Sequence, residues 1–194
     1  KNKNSQPPEI GLAFPNVQDQ LLRSDLNVFL HEHINYFTPK SIRNLLGRVG
    51  FKILSYRSDG DEFRLILKAS NHTASNSEIV SDYRDDIVEV ASKFQENLED
   101  TIVRVERHLD SGQAVGFHGA NNGLNNLFHL APLLADNDSF GIYDGDEEKK
   151  DMYLPAVTKC PIVVADEKLL AVPEILIVSA MTFYSPINRF WKEK

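Results

Sequence analysis

The feature that most constrains this chain is the alternation of short apolar segments with helical patterns from residue 112 onwards. Strands that alternate with helices form parallel sheets, because each crossover between parallel strands needs a long, right-handed connection. Four strands are predicted, at residues 114–117, 140–144, 161–164 and 174–178. Helices are predicted at 121–134 and through Phe190-Trp191, with a helical turn or two at 168–171. We therefore expect an α/β domain with a parallel sheet over residues 112–194.

A long amphipathic helix is predicted before this domain, from about residue 81 to residue 109. Its apolar residues recur every three or four positions; they are Ile87, Val90, Phe94, Leu98, Ile102, Val105 and Leu109. At about 1.5 Å per residue, such a helix spans roughly 40 Å. A helix of that length favours a bridge between two domains, so we divide the chain into residues 1–77, a bridging helix at 78–111, and residues 112–194. The polar residues 70–77 are typical of a linker.

The N-terminal part contains a helix followed by a hairpin. Thr38 can cap the helix, Pro39 suits its first position, and Gly50 suits its end. Alternating residues at 51–56 and 63–67 flank an Asp-Gly turn, which predicts an antiparallel pair of strands.

Composition excludes several classes of function. The net charge is −7 over 194 residues, which argues against broad binding to nucleic-acid phosphates. No segment approaches the about 20 apolar residues of a membrane span. Cys160 is the only cysteine, so an internal disulfide and a four-thiolate zinc site are excluded. A reducing cytoplasm is the expected location.

The first candidate site is the loop between a predicted strand and a helix, with the sequence Gly116-Phe117-His118-Gly119-Ala120-Asn121-Asn122-Gly123. Glycines there can let the backbone approach a phosphate, and free amides at a helix start attract anions. Asp144 ends the next predicted strand, where a ribose-binding acid would stand. The spacing differs from G-x-G-x-x-G, and the alternative is that the glycines only make a tight strand-to-helix turn.

The second candidate site is His31-Glu32-His33. In an extended segment the two histidines face one side, and histidine suits proton transfer near neutral pH. A metal site would need a third ligand such as His118, and no third-ligand spacing is recognisable, so we predict no metal. A structural role, with the histidines bonded to backbone, stays open.

Two blocks of the sequence resemble the C-terminal region of sugar C-methyltransferases. Residues 31–38, followed by 41–51, are similar to their Tyr-x-Glu-His-x-x-Tyr-Phe segment and the helix after it. Pro15-Asn16 resembles the Val-Pro-Asn after a late strand of their methyltransferase domain. The 116–123 loop, followed by further matching positions, looks like their C-terminal Rossmann-like domain; those positions are Tyr143-Asp144, Leu154-Pro155 and 161–163. The resemblance covers about residues 10–190.

The resemblance implies a fold and a set of roles. Residues 1–77 would be the end of a class I methyltransferase sheet, and 112–194 a Rossmann-like domain that helps to hold a nucleotide-linked keto sugar. His33 is implied as the base that removes the proton next to the keto group, with Glu32 beside it in the pocket. The family's tyrosine is replaced by Leu30, which can neither donate a hydrogen bond nor ionise. The candidate substrate-binding residues are His31, Tyr36, Gly116, His118, Gly119, Ala120, Asn121, Gly123 and Asp144.

The family's cofactor is S-adenosylmethionine, and we expect this chain alone not to bind it. No strand with a glycine-rich cofactor loop precedes residue 15. The leading hypothesis is the substrate-side half of a C-methyltransferase with a nucleotide-sugar partner, and a homodimer is left open. The second hypothesis is a non-catalytic module that binds a nucleotide-sugar or a phosphate. The third, an NAD-dependent oxidoreductase, rests only on the 116–123 loop and Asp144.

Overall fold

A computed structural model describes most of the chain; the described residues are 9–30, 34–58, 62–69, 84–137, 139–166, 168–169 and 172–194, with backbone only for residues 63 and 84–86. The chain divides into two compact units, Lys1–Gln95 and Glu96–Lys194, called here the first and second units. The predicted long helix exists as α3, Arg84–Asp110, and the division between the units falls within it. The predicted linker at 70–77 and the first residues of the predicted helix lie outside the described residues.

The first unit contains a three-stranded antiparallel sheet with the order β1-β3-β2. Its strands are β1 (Glu9–Pro15), β2 (Phe51–Ser58) and β3 (Glu62–Ala69). Strands β2 and β3 form the predicted hairpin, although its Asp-Gly turn lies outside the described residues. The residue pattern did not predict β1, although the resemblance implied a strand before Pro15-Asn16; β1 pairs along the other side of β3.

The helices of the first unit precede the hairpin. They are α1 (Val17–Leu22), a 3-10 turn at Leu26–Val28, and α2 (Pro39–Arg48). The predicted cap of α2 is confirmed, because Thr38 Oγ1 accepts from the Ser41 amide and Ser41 Oγ accepts from the Thr38 amide. These reciprocal bonds satisfy two amides that a helix start leaves unpaired. Gly50 follows the helix with φ at 80°, a conformation that favours glycine.

The core of the first unit lies between α2 and the sheet. Ile42 and Leu46 of α2 pack with Leu65 and Leu67 of β3, and all four are buried. The two helical residues are four positions apart and the two strand residues are two apart, which places each pair on one face. This packing fixes α2 against the hairpin.

The second unit contains a four-stranded sheet in which all neighbouring strands are parallel, with the order β6-β5-β4-β7. Its strands are β4 (Val115–His118), β5 (Phe140–Asp144), β6 (Ile162–Val164) and β7 (Ile175–Val178). The predicted α/β unit with a parallel sheet is confirmed. The helical turn predicted at 168–171 is not formed at Lys168 or Leu169, and the other two residues lie outside the described part.

Three short helices accompany this sheet: α4 (Asn122–Leu130), α5 (Pro132–Ala135) and α6 (Tyr184–Lys192). The prediction of one continuous helix over 121–134 was wrong. Pro132 has no amide hydrogen to continue α4, and the residue before it, Ala131, is not helical, with φ −124° and ψ 70°. In the described residues, no helix has the length and apolar content needed to cross a bilayer.

Aromatic side chains form the centre of the second unit. Phe117 of β4 contacts Phe128 of α4 and Phe140 of β5, with ring centroids 5.2 and 5.3 Å apart. Phe128 and Phe140 stack at 5.2 Å. Because Phe117 is fully buried, it anchors the strand that leads into the candidate loop.

Candidate functional site

The candidate site lies where the order of parallel strands reverses. From β4 the chain adds β5 and then β6 on one side, and it returns to place β7 on the other side of β4. Sheets of this kind bind ligands at the carboxyl ends of the strands beside the reversal. We call the region formed there by residues 118–121, 144–146 and 179–180 the carboxyl edge.

The two strands at the reversal are joined through Ser179, the residue after β7. Its amide donates to the carbonyl oxygen of His118 at 2.9 Å, and its hydroxyl donates to the carbonyl oxygen of Gly119 at 2.5 Å. These bonds hold the loop after β4 against the segment after β7. The sequence analysis did not select Ser179.

The close approach of the segment after β7 requires a glycine at position 119. Its φ is 107°, and an added Cβ would lie 2.7 Å from Ser179 Oγ and 2.8 Å from the Cβ of Ala180. Gly116 is also tightly packed, because a Cβ there would lie 2.7 Å from Pro173 Cγ. Gly123 is buried in the first turn of α4. The geometry of Gly116 and Gly119 favours the alternative in which they make a tight turn and pack closely.

The backbone amides of the loop bind groups within the protein. Gly119 donates to the carbonyl oxygen of Tyr143 at 2.8 Å, and Ala120 donates to Oδ2 of Asp144 at 2.8 Å. The Asn121 amide donates to the Gly119 carbonyl at 2.9 Å. The side-chain oxygen of Asn121 caps α4 by accepting from the Leu124 amide at 3.0 Å. A phosphate would have to displace these bonds to use the same amides.

Asp144 ends β5 and fastens two loops together. Oδ2 also accepts from Nζ of Lys149 at 2.9 Å, while Oδ1 accepts from the Asp146 amide at 3.0 Å. Burial acts to raise the pKa of Asp144, but the hydrogen bonds from Lys149 and from the Asp146 and Ala120 amides outweigh it and leave the pKa below its ordinary value. Asp144 is the acid predicted to bind a ribose. It is a charged carboxylate whose two oxygens already accept hydrogen bonds within the protein, and this bonding indicates a structural role.

His118 is held by the last helix. Nε1 of Trp191 donates to Nδ1 of His118 at 2.9 Å. An indole nitrogen can only donate, so Nδ1 carries a lone pair and the ring proton is on Nε2. Burial lowers the pKa of His118, and the negative charge of Asp144 opposes this only in part. The imidazole is therefore neutral at pH 7.

The second ring nitrogen of His118, Nε2, is not used by the contact with Trp191. No residue in the described ranges bonds to Nε2. Among the same residues, the fully buried side-chain polar atoms without a partner are Gln20 Oε1 and Ser24 Oγ, both in the first unit. His118 as a whole is buried, with 6% of its surface exposed, and its Nε2–H is a donor without a partner among the described residues.

The remaining predicted residues belong to the N-terminal part of the sequence. Tyr36 belongs to the first unit, where its hydroxyl donates to the Leu30 carbonyl at 3.1 Å. It lines an apolar cavity of about 240 Å³ together with Val17, Leu21 and Phe29. His31, Glu32 and His33 lie outside the described residues.

The described residues of the first unit offer no fitting set of groups for the implied cofactor. The described sheet of that unit is antiparallel, and the one described strand of the unit that leads directly into a helix, β1, does so through Asn16 without a glycine-rich loop. Those residues do not fit S-adenosylmethionine. Within the described ranges, no group of three histidine, cysteine, aspartate or glutamate side chains could hold a metal ion. Comparison with protein-family models finds no matching family, and comparison with curated proteins finds no match.

Proposed function

We propose that this chain is the substrate-binding part of a protein similar to the sugar C-methyltransferases. Its second unit would be a Rossmann-like domain that binds a nucleotide-linked sugar at the carboxyl edge. The observation that carries the proposal is His118, a neutral imidazole at the end of β4 whose Nε2–H has no partner among the described residues, beside the reversal of strand order. Concave edges with a few well-placed polar groups are the usual binding sites of such sheets.

The ligand would be recognised through side chains, because the amides of Gly119, Ala120 and Asn121 are occupied. Nε2–H of His118 would donate to a phosphate or hydroxyl oxygen. The side-chain nitrogen of Asn121 is a second donor, since only the oxygen of that amide is used in capping α4. Lys149 supplies a nearby positive charge, partly neutralised by Asp144. Such a set of donors suits the oxygen-rich nucleotide-sugar better than an apolar ligand.

The chemical role proposed for this chain concerns proton removal. By resemblance, His33 would take the proton next to a keto group of the sugar, with Glu32 beside it. Removal of a proton next to a carbonyl needs a placed base and donors for the developing oxyanion. The proposal assigns no role in methyl transfer to the described residues.

A second candidate is a non-catalytic module that binds the same nucleotide-linked sugar. It is favoured by Leu30, which stands where the family has a tyrosine and supplies no hydrogen bond or proton. The oxidoreductase hypothesis rested on the 116–123 loop and Asp144, and there the Ala120 amide already donates to the Asp144 carboxylate, which weakens its support.

Calorimetry with dTDP-glucose tests the proposed binding. The unmodified chain should bind, and His118→Ala should weaken binding about tenfold, the loss expected for one hydrogen bond of about 1.4 kcal/mol. His118→Gln can replace the donor and should recover part of the affinity. His129→Ala is the matched control, because His129 is exposed in the last turn of α4 and should bind as the unmodified chain does. Absence of heat with the unmodified chain, or equal losses in the His118→Ala and His129→Ala variants, would contradict the proposal.

A further inference from the structure

The last helix of the second unit contributes a residue to the carboxyl edge that the sequence pattern did not indicate. Trp191 of α6 donates to Nδ1 of His118, and the two rings meet edge to face, with centroids 5.9 Å apart and planes at 89°. Trp191 is itself held by Tyr143 at 5.1 Å and by Phe190 at 5.3 Å. The indole is therefore fixed in position before any ligand arrives.

The direction of this hydrogen bond restricts the state of the imidazole. A neutral histidine can carry its proton on either nitrogen, and a charged one carries protons on both. Both the Nδ1–H form and the cation would point a hydrogen at the indole N–H. Only the neutral form with its proton on Nε2 can accept from Trp191, so the contact selects one state out of three.

We propose that Trp191 is a positioning residue, which holds His118 as a neutral Nε2–H donor at the carboxyl edge. The ring orientation follows from the same contact, because Nδ1 must face α6 and Nε2 must face away from it. The expected effect of Trp191 on ligand affinity rests on the proposed function. The part that concerns the state of His118 stands on the geometry of the free protein.

The charges around His118 are compatible with this role. Asp144 on the neighbouring strand favours the cation, but its carboxylate is paired with Lys149. Tyr143 on that strand and Ser179 after β7 are uncharged at neutral pH. Burial lowers the pKa of His118. The surroundings thus leave Trp191 as the group that discriminates between the two neutral forms.

Nitrogen-15 NMR of the imidazole tests the positioning without any ligand. In the unmodified chain, Nδ1 of His118 should show the shift of an unprotonated nitrogen and Nε2 that of a protonated one. Trp191→Phe keeps an aromatic ring and removes the donor, so the two nitrogens should move towards averaged shifts and the ring should protonate at a higher pH. Phe190→Leu alters the packing around Trp191 and keeps the N–H donor, so it should retain the unmodified pattern.

Several results would overturn the positioning role. These are unchanged imidazole shifts in Trp191→Phe, or equal changes in Trp191→Phe and Phe190→Leu. Should Trp191→Phe not fold, the nitrogen–nitrogen coupling between Trp191 Nε1 and His118 Nδ1 in the unmodified chain decides instead: its detection supports the contact, and its absence overturns it. With dTDP-glucose, Trp191→Phe should bind a few-fold more weakly. If the unmodified chain binds no dTDP-glucose, the proposed function fails, and the imidazole shifts still decide the positioning.

Discussion

Replacement of Gly119 by alanine should destabilise the second unit through both backbone strain and close packing. Alanine variants at three glycines of that unit distinguish these two effects. Gly119 combines φ at 107° with a Cβ position 2.7 Å from Ser179 Oγ and 2.9 Å from the Ala180 amide nitrogen. Gly112 has φ at 76° with nothing within 4 Å, and Gly145 has open space without a positive φ. Gly112→Ala therefore tests backbone strain alone. Gly145→Ala is the control variant, in which neither backbone strain nor overpacking is expected.

The expected magnitudes follow from these contacts. Backbone strain at Gly119 costs about 1–3 kcal/mol and overpacking about 1–3 kcal/mol more, so Gly119→Ala should lower the free energy of unfolding by about 2–6 kcal/mol. Gly112→Ala should cost about 1–2 kcal/mol, and Gly145→Ala should change the free energy by less than about 1 kcal/mol.

Urea unfolding followed by fluorescence measures all three variants. Trp191 is the only tryptophan of the chain and lies in α6, so its emission reports on the second unit. If Gly119→Ala loses no more stability than Gly112→Ala, the close approach of the 179–180 segment is refuted. A Gly119→Ala variant of normal stability that had lost only dTDP-glucose binding would instead assign that glycine to ligand contact.

Three further predictions concern the first unit, the pH dependence and the cofactor. Leu65→Ala should cost about 2–5 kcal/mol in urea unfolding followed by circular dichroism, because Leu65 is 2% exposed in the core; a loss below about 1 kcal/mol would contradict that packing. The pKa of His118 is lower in the folded protein than its unfolded value of about 6.5. The contribution of His118 to the free energy of unfolding is therefore complete above about pH 6.5, and it is lost as the pH falls from there towards the folded pKa. Urea unfolding at pH 7.5 and 5.5 should show this decline, and His118→Gln should reduce it; an equal decline in both proteins would refute it. Calorimetry with S-adenosylmethionine should show no heat from this chain, and micromolar binding would overturn that expectation.

Features determined by neighbouring residues were predictable from the sequence. Helix α2 has its cap at Thr38 and is followed by Gly50, and the hairpin follows from alternation within one short segment. The four parallel strands were predicted because each is a short apolar segment next to a helix or a turn. These signals need no information about distant parts of the chain.

Features that depend on distant contacts were not predictable in this way. Strand β1 pairs Ile10 with Leu67, and most of its residues are exposed, so its apolar pattern alone does not mark a buried strand. The break between α4 and α5 did have a local signal, Pro132, which the continuous apolar pattern outweighed in our prediction. The sequence position of a proline is thus a better guide to the end of a helix than periodicity is.

The candidate loop does lie between a strand and a helix, as predicted, while its bonding was not predictable from the sequence. The sequence indicates glycines and an acid after two strands, but it does not show that Asp144 accepts the Ala120 amide, 24 residues away. No pattern links His118 to Trp191, since they are 73 residues apart. The first contact arises only when the parallel strands meet, and the second only when α6 packs against them. Of the two alternatives that the sequence left open for the loop, the bonded amides favour the tight turn.

The most direct test of the account is a map of backbone amide shifts in the labelled chain during titration with dTDP-glucose. The account predicts saturable changes at residues 118–122 and at residues 179–180, with the side-chain signals of Trp191 and His118 moving alongside. Saturable changes confined to other parts of the second unit, or no changes at millimolar dTDP-glucose, would contradict binding at the carboxyl edge.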